Sequence, residues 1–309
     1  MSKLMKILRE NDRLKLVLGW IAVGISIAIA SVWTIWGILE TFHEGWYLES
    51  VWQNILLMLR QYLLFTVVFV LLTLISIRWY KIGTAIFLVA AIAFGFFFQG
   101  ASLAVMALIL PPMVILGLLY LFGRPAPRRY AYLTVIIVPI VIILALGIPN
   151  GIRVSQRLND GDFGMRQVAG NGVELVWAPQ GPGWPDHGVS WDEANRICRY
   201  LSADGTTLED TPQDIWRLPT IAEAVASMTR KGINAGGTWN PETMTATYKT
   251  TPDKETPLWN PHTQIIYYWT ANEMNEKKAY MIVYDGKVYD RYKSGLGSLA
   301  FRAVKQPPE

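Results

Sequence analysis

The chain has one cysteine, Cys198, in 309 residues. A disulfide within the chain and a cysteine-built metal cluster are therefore excluded. Histidine is almost as scarce. His43, His187 and His262 are the three, and none stands beside a nucleophile in a recognisable pattern, which leaves little for base-assisted nucleophilic catalysis. There is no glycine-rich phosphate loop. Charged residues make up only 17% of the chain, and they are nearly missing from five long apolar runs. The one ionisable residue inside those runs is Arg60, with Gln61 beside it. Without Asp, Glu or His in the runs, neither an intramembrane proton relay nor a histidine ligand for haem or chlorophyll is expected.

What is present is hydrophobicity: 52% of the residues are apolar, and they concentrate in the first half. The runs cover 16–39, 55–77, 83–98, 103–122 and 132–148. Each approaches the roughly 20 residues that cross a bilayer, and in lipid each must be helical to satisfy its own backbone. Residues 1–149 carry 11 Lys/Arg against 5 Asp/Glu, whereas 150–309 carry 17 against 19. The basic excess thus belongs to the apolar half, where it sets orientation; no nucleic-acid partner is expected. Lys and Arg cluster in the first 15 residues, at Arg78 and Lys81, and at Arg124, Arg128 and Arg129, while the alternate loops 40–54 and 99–102 have none. The expectation is a cytoplasmic N-terminus, five crossings, and an extracytoplasmic remainder. Residues 1–15 read as an interfacial basic flank, not a cleaved signal peptide. Arg60 either snorkels or pairs with Glu40 or Glu49, or else contacts a lipid or a partner. Pro111, Pro112 and Pro139 should kink their helices. With no repeat between halves, a transporter is not indicated.

The second half reads as α+β. Residues 150–171 form a polar linker, and Val173–Trp177 a strand. Ser190 with Glu193, and Thr220 with Glu223, each predict a capping box at the start of a helix. In the first of these helices Ala194, Ile197, Cys198 and Leu201 share a face. Residues 231–263 form a long irregular stretch, of the kind that is functional or mobile. Strands follow at 265–271, at 279–284 and 287–292 about a type I′ Asp285-Gly286 turn, and at 299–305.

Candidate sites are few. The long stretch holds Trp239-Asn240-Pro241 and Trp259-Asn260-Pro261, followed by His262. An exposed Trp beside an amide can grip a sugar face or a peptide; the plainer reading packs both rings on the sheet and leaves Asn-Pro to start turns. His187 and His262 lack metal-ligand spacing. Asp160 and Asp162 resemble half a calcium loop or belong to the linker. Arg217 and Arg302, each between apolar residues, read as hydrogen-bonding forks to carbonyls or a carboxylate. No metal and no cofactor is expected.

The segments GVELVWAPQG, VSWDEANRICRYLS and WRLPTIAEA resemble the formylglycine-generating enzyme (sulfatase-modifying factor) family and related bacterial extracellular domains. The ending, YYWTANE through LAFRAVK, is more similar to the latter. The resemblance covers 172–305 and implies a C-type-lectin-like domain, two helices on a small twisted antiparallel sheet. The generating enzymes use paired C-terminal cysteines for copper and oxygen chemistry; this region has none, and a soft thiolate is what Cu(I) would need. The combined expectation is a bacterial inner-membrane protein, a membrane α-helical bundle plus an α+β C-type-lectin-like extracytoplasmic domain. It would be non-catalytic, in contact with membrane lipid and other subunits of a membrane complex. The alternatives are a carbohydrate or peptide receptor and a membrane-bound enzyme of the formylglycine-generating type.

Overall fold

The computed structural model describes residues 11–44, 46–97, 99–100 and 102–308. The first ten residues of the expected basic flank, and Phe98 at the end of the third run, lie outside them. The chain divides into two units, Met1–Gly45 with Trp52–Ile152, and Trp46–Val51 with Arg153–Glu309.

The first unit is helical. Helix α1, Asp12–His43, starts where the Asn11 side chain accepts from the Leu14 N–H, and outruns the expected 16–39 at both ends. Gly19, Ala22, Ser26, Ala30, Thr34 and Gly37 lie at helical spacing on its buried stripe. Small residues let backbones meet in an apolar medium: a Cβ on Gly19 would stand 2.3 Å from Pro125 N, and one on Gly37 2.5 Å from Tyr62 O. The second run is not one helix. Helix α2, Val51–Leu57, passes into a π-turn at Met58–Tyr62, and helix α3, Leu64–Arg78, follows. The two limbs are bent by 63°. The Leu63 N–H reaches back five residues to Met58 O at 2.9 Å, the widened turn of a π-bulge. Helix α4, Tyr80–Phe97, begins after Trp79 alone, because Gly83 lets Ser76 approach. It packs against helix α5, Leu103–Phe122, which runs through Pro111 and Pro112. Thr84 Oγ1 donates to Gly117 O at 2.9 Å between them, and Ser26 Oγ meets Tyr120 Oη at 3.0 Å between α1 and α5. Helix α6, Arg128–Ser155, is longer than the 132–148 run and contains Pro139 and Pro149. Helices α1 and α6 are long and apolar enough to cross a membrane, and the bent α2–α3 pair makes a third if it counts as one span. Over their described residues α4 and α5 are apolar but shorter.

The second unit is β-rich. The stretch read as a linker contains the end of α6 and strand β1, Arg166–Gly170, which pairs antiparallel with β2, Val173–Trp177. Helices α7, Trp191–Tyr200, and α8, Ile221–Ser227, follow. Of the four residues expected on one face, Ala194, Cys198 and Leu201 are buried and Ile197 is half-buried against the same core. Only α8 has the complete capping box; the Ser190 hydroxyl accepts from the Glu193 N–H, but the Glu193 carboxylate turns outward to Arg196 at 2.5 and 2.7 Å. Short hairpins β3–β4 (Thr229–Arg230, Ile233–Asn234) and β5–β6 (Thr238–Asn240, Thr245–Thr247) precede β7, Tyr267–Glu273, β8, Lys278–Val283, and β9, Val288–Tyr292. The β8–β9 turn is not type I′: Gly286 has φ 87° but Asp285 is not left-handed, and the Val283 N–H donates to Lys287 O. This is the three-residue loop with a left-handed glycine. The expected closing strand is two pieces in two sheets. β10, Leu299–Ala300, lies parallel to β7, and β11, Val304–Lys305, antiparallel to β2.

The WRLPT block joins the sheets. Arg217 exchanges both backbone hydrogen bonds with Val304, at 2.8 and 3.0 Å, and the Ala271 N–H of β7 donates to Pro219 O at 2.8 Å. Arg217 grips Glu223 with two bonds of 2.6 and 2.7 Å, while Glu223 also accepts from the Thr220 N–H at 2.8 Å. Burial pushes the Glu223 carboxyl up, but the Arg217 fork and Thr220 outweigh it and hold it below the ordinary value. A carboxylate so depressed stabilises the fold above its unfolded pKa of about 4.3 and loses that contribution as pH falls through the folded value. Glu223→Gln should lower stability at neutral pH by about 1 kcal/mol and flatten the loss below about pH 4, as read by thermal unfolding across pH.

Candidate functional site

Two buried polar centres organise the second unit. The first is Arg302, which sits between β10 and β11 with 0% exposure. Its Nε donates to Ala178 O at 2.8 Å, Nη1 to Pro257 O at 2.6 Å and Leu258 O at 3.1 Å, and Nη2 to Gly164 O at 3.3 Å. The guanidinium lies 3.7 Å from the Trp184 ring centroid. Burial pulls its pKa down to about 9, which leaves it charged at neutral pH. Tyr268 extends the centre: its hydroxyl donates to Leu258 O at 3.2 Å and accepts from Trp184 Nε1 at 2.5 Å, and its ring stacks on Trp259.

The second centre is a knot of ions at Asp253-Lys254-Glu255, each at most 2% exposed. Asp253 binds Arg157 at 2.9 Å, Arg230 at 3.1 Å and Arg153 at 3.4 Å. Glu255 accepts from the Leu158 N–H at 3.0 Å, from the Lys231 N–H and from Arg230. Lys254 Nζ donates to Thr263 O and faces Tyr47. Burial, then the Arg157 charge, pull the Lys254 ammonium well below the ordinary lysine value, and burial raises Glu255. Displaced pKa values often mark chemistry, but here each of the three side chains is spent on a partner within the fold. The stretch 231–263, expected to be irregular, holds β4 and the hairpin β5–β6, and most of 252–259 is buried. Its polar composition gave no sign of this.

The residues singled out in the sequence fall apart in space and in kind. Trp259 is 1% exposed and stacked between β7 and the core, so the exposed-ring reading fails for it. Trp239 is only partly buried, on hairpin β5–β6. Asn240 Oδ1 accepts from the Glu242 N–H at 2.9 Å, and Asn260 Oδ1 from the His262 N–H at 2.8 Å, so both start turns. His262 is exposed, with Nδ1 3.1 Å from Tyr47 O. In the first unit, Arg60 and Gln61 are both exposed in the π-turn. Asp160 and Asp162 each pair with Arg166 at 2.8 Å. Among the described residues no group of three His, Cys, Asp or Glu could hold a metal ion. Cys198 is buried, and burial pushes its thiol up, away from the thiolate that metal binding needs.

The two Trp-Asn-Pro motifs should therefore behave differently. Trp259→Ala should cost about 3–5 kcal/mol, the range for a large aromatic lost from a core, and Trp239→Ala markedly less, measured by denaturant unfolding followed by circular dichroism.

Residues 10–132 match a protein family described as a domain of unknown function (DUF7670). That region runs from the start of α1 into the beginning of α6. No curated protein and no solved structure matches the chain.

Proposed function

We propose that this is a multi-pass protein of a bacterial inner membrane. It crosses five times with its N-terminus in the cytoplasm, and presents a C-type-lectin-like domain, akin to the sulfatase-modifying-factor fold, on the outer face. It serves as a non-catalytic accessory or assembly subunit of a larger membrane complex, and its outer domain binds or caps a partner. The observation that carries this is helix α6. Its buried residues are few (Ala131, Val135, Pro139 and Val154), and Ile136, Ile137, Ile140, Val141, Leu144 and Ile148 are exposed. An apolar helix with few neighbours in its own chain is available to helices of another.

The dimensions of the bent pair support counting α2–α3 as one crossing. Taken upright, the 15 residues of α3 rise about 22 Å, and the limb before the 63° bend adds about 8 Å. Together they match a hydrocarbon core of about 30 Å. Arg60 then lies near its outer edge, within reach of the headgroups by snorkelling.

Trp239 favours a second reading, a carbohydrate or peptide receptor, because part of its ring is open on an exposed hairpin.

The assembly reading is tested by photo-crosslinking from Ile140 and Leu144 in the native membrane, with mass spectrometry of the gently solubilised protein. A discrete crosslinked polypeptide that co-purifies in fixed ratio is the expected outcome. Crosslinks to lipid alone, from a protein that purifies by itself, would overturn it.

A further inference from the structure

One end of the first unit gathers cations around a cleft lined by Asp12, Lys15, Leu16, Arg124 and Ala126. Arg124 is fixed there. Its Nη1 donates to the carbonyl oxygens of Tyr120, Leu121 and Gly123, at 3.1, 3.2 and 2.6 Å, and its guanidinium lies 3.3 Å from the Tyr80 ring centroid. Its backbone N–H donates to Lys15 O at 2.7 Å. The close approach depends on two glycines: a Cβ on Gly123 would stand 2.5 Å from Gly19 N, and one on Gly19 2.5 Å from Arg124 C. Trp20 Nε1 closes the same end by donating to Ala126 O at 3.1 Å. A guanidinium held this way binds a planar or tetrahedral anion with little ordering cost.

The surroundings favour an anion. Lys15 Nζ pairs with Asp12 at 2.8 Å, so Lys15, Arg124 and Asp12 leave one positive charge in the cleft. Arg128 and Arg129 open α6, and Lys81 is the second residue of α4; neither first turn holds an acid. Cations at the positive end of a helix dipole are unfavourable, and an anion beside them relieves that cost. The cleft also has apolar walls, Leu16 and Ala126, at the end of apolar helices. Trp20 and Tyr80, the amphipathic aromatics that prefer a membrane–water interface, are joined to it. An anion carried on a hydrocarbon chain fits this combination better than a free one.

We propose that the cleft is a binding site for the phosphate headgroup of an anionic phospholipid, with Arg124 and Lys15 on the phosphate and Leu16 and Ala126 against the start of the acyl chains. This rests on the membrane reading above. The Asp12 carboxylate opposes the bound phosphate and weakens the site.

The test uses the full chain. Membranes are first washed with alkaline carbonate; release of the protein would sink the membrane reading itself. The retained protein is then solubilised, titrated with phosphatidylglycerol, phosphatidylcholine or inorganic phosphate, and scored by native mass spectrometry. Phosphatidylglycerol should be retained over phosphatidylcholine, Lys15→Gln should weaken the preference about fivefold, and Asp12→Asn should strengthen it. Neither substitution touches the Arg124 packing, so both variants should fold. Equal retention of the two lipids, or a preference unchanged in both variants, would overturn the site. Displacement of the lipid by millimolar inorganic phosphate would overturn the lipid as its ligand.

Discussion

A whole positive charge buried without a paired carboxylate is the constraint on which the second unit depends. Among the described residues no acid forms an ion pair with Arg302; four backbone carbonyls from three separate segments and the face of Trp184 replace its water. Burying an ion is costly unless its donors are all satisfied. Those segments must therefore stay where they are: Gly164 ahead of β1, Ala178 after β2, and Pro257-Leu258 beside the ionic knot. Only guanidinium has enough donors in one plane to serve them together. The same side chain divides the last strand, since residues 301–303 leave the ladder while β10 and β11 pair with different sheets. The local irregularity and the global link between sheets share one cause.

The knot at Asp253-Lys254-Glu255 solves a related problem by other means, with charges of both signs in direct contact. Removing one partner from such a group leaves an uncompensated charge, so both centres favour a single arrangement of long, irregular connections. Groups that could carry chemistry are thereby committed to architecture. Arg217 holds Glu223, Lys254 a carbonyl, Cys198 a helix face and Trp259 the Tyr268 ring. These commitments support the proposed reading of the second unit as a binding module.

Much of this could be read from the residues, and the failures have identifiable reasons. The apolar runs located the helices because uninterrupted hydrophobicity is a local signal, but the break at Leu63 carries no proline or glycine. It is set by Gly37 of a distant helix meeting the Tyr62 carbonyl. The Thr220 box was legible because spacing alone defines it; at Ser190 the same spacing yields half a box, since Arg196 competes for Glu193. Arg302 was readable as a fork, an Arg among apolar neighbours, but its four acceptors were not. The two Trp-Asn-Pro motifs are identical in sequence and unlike in burial, because only Trp259 has Tyr268 beside it. The burial of Asp253 to Thr256 ran against composition altogether: a polar stretch reads as a loop unless its counter-ions, here 23 to 100 residues away, are known.

The most direct measurement is hydrogen exchange of the full-length protein against its Arg302→Lys variant. Lysine keeps the charge but has three donors on one atom. Faster exchange in all three contacted segments together, around residues 164, 178 and 257, with a loss of about 2 kcal/mol or more in stability, is the result expected. A change confined to residues 301–303, or none at all, would contradict the central place given to Arg302.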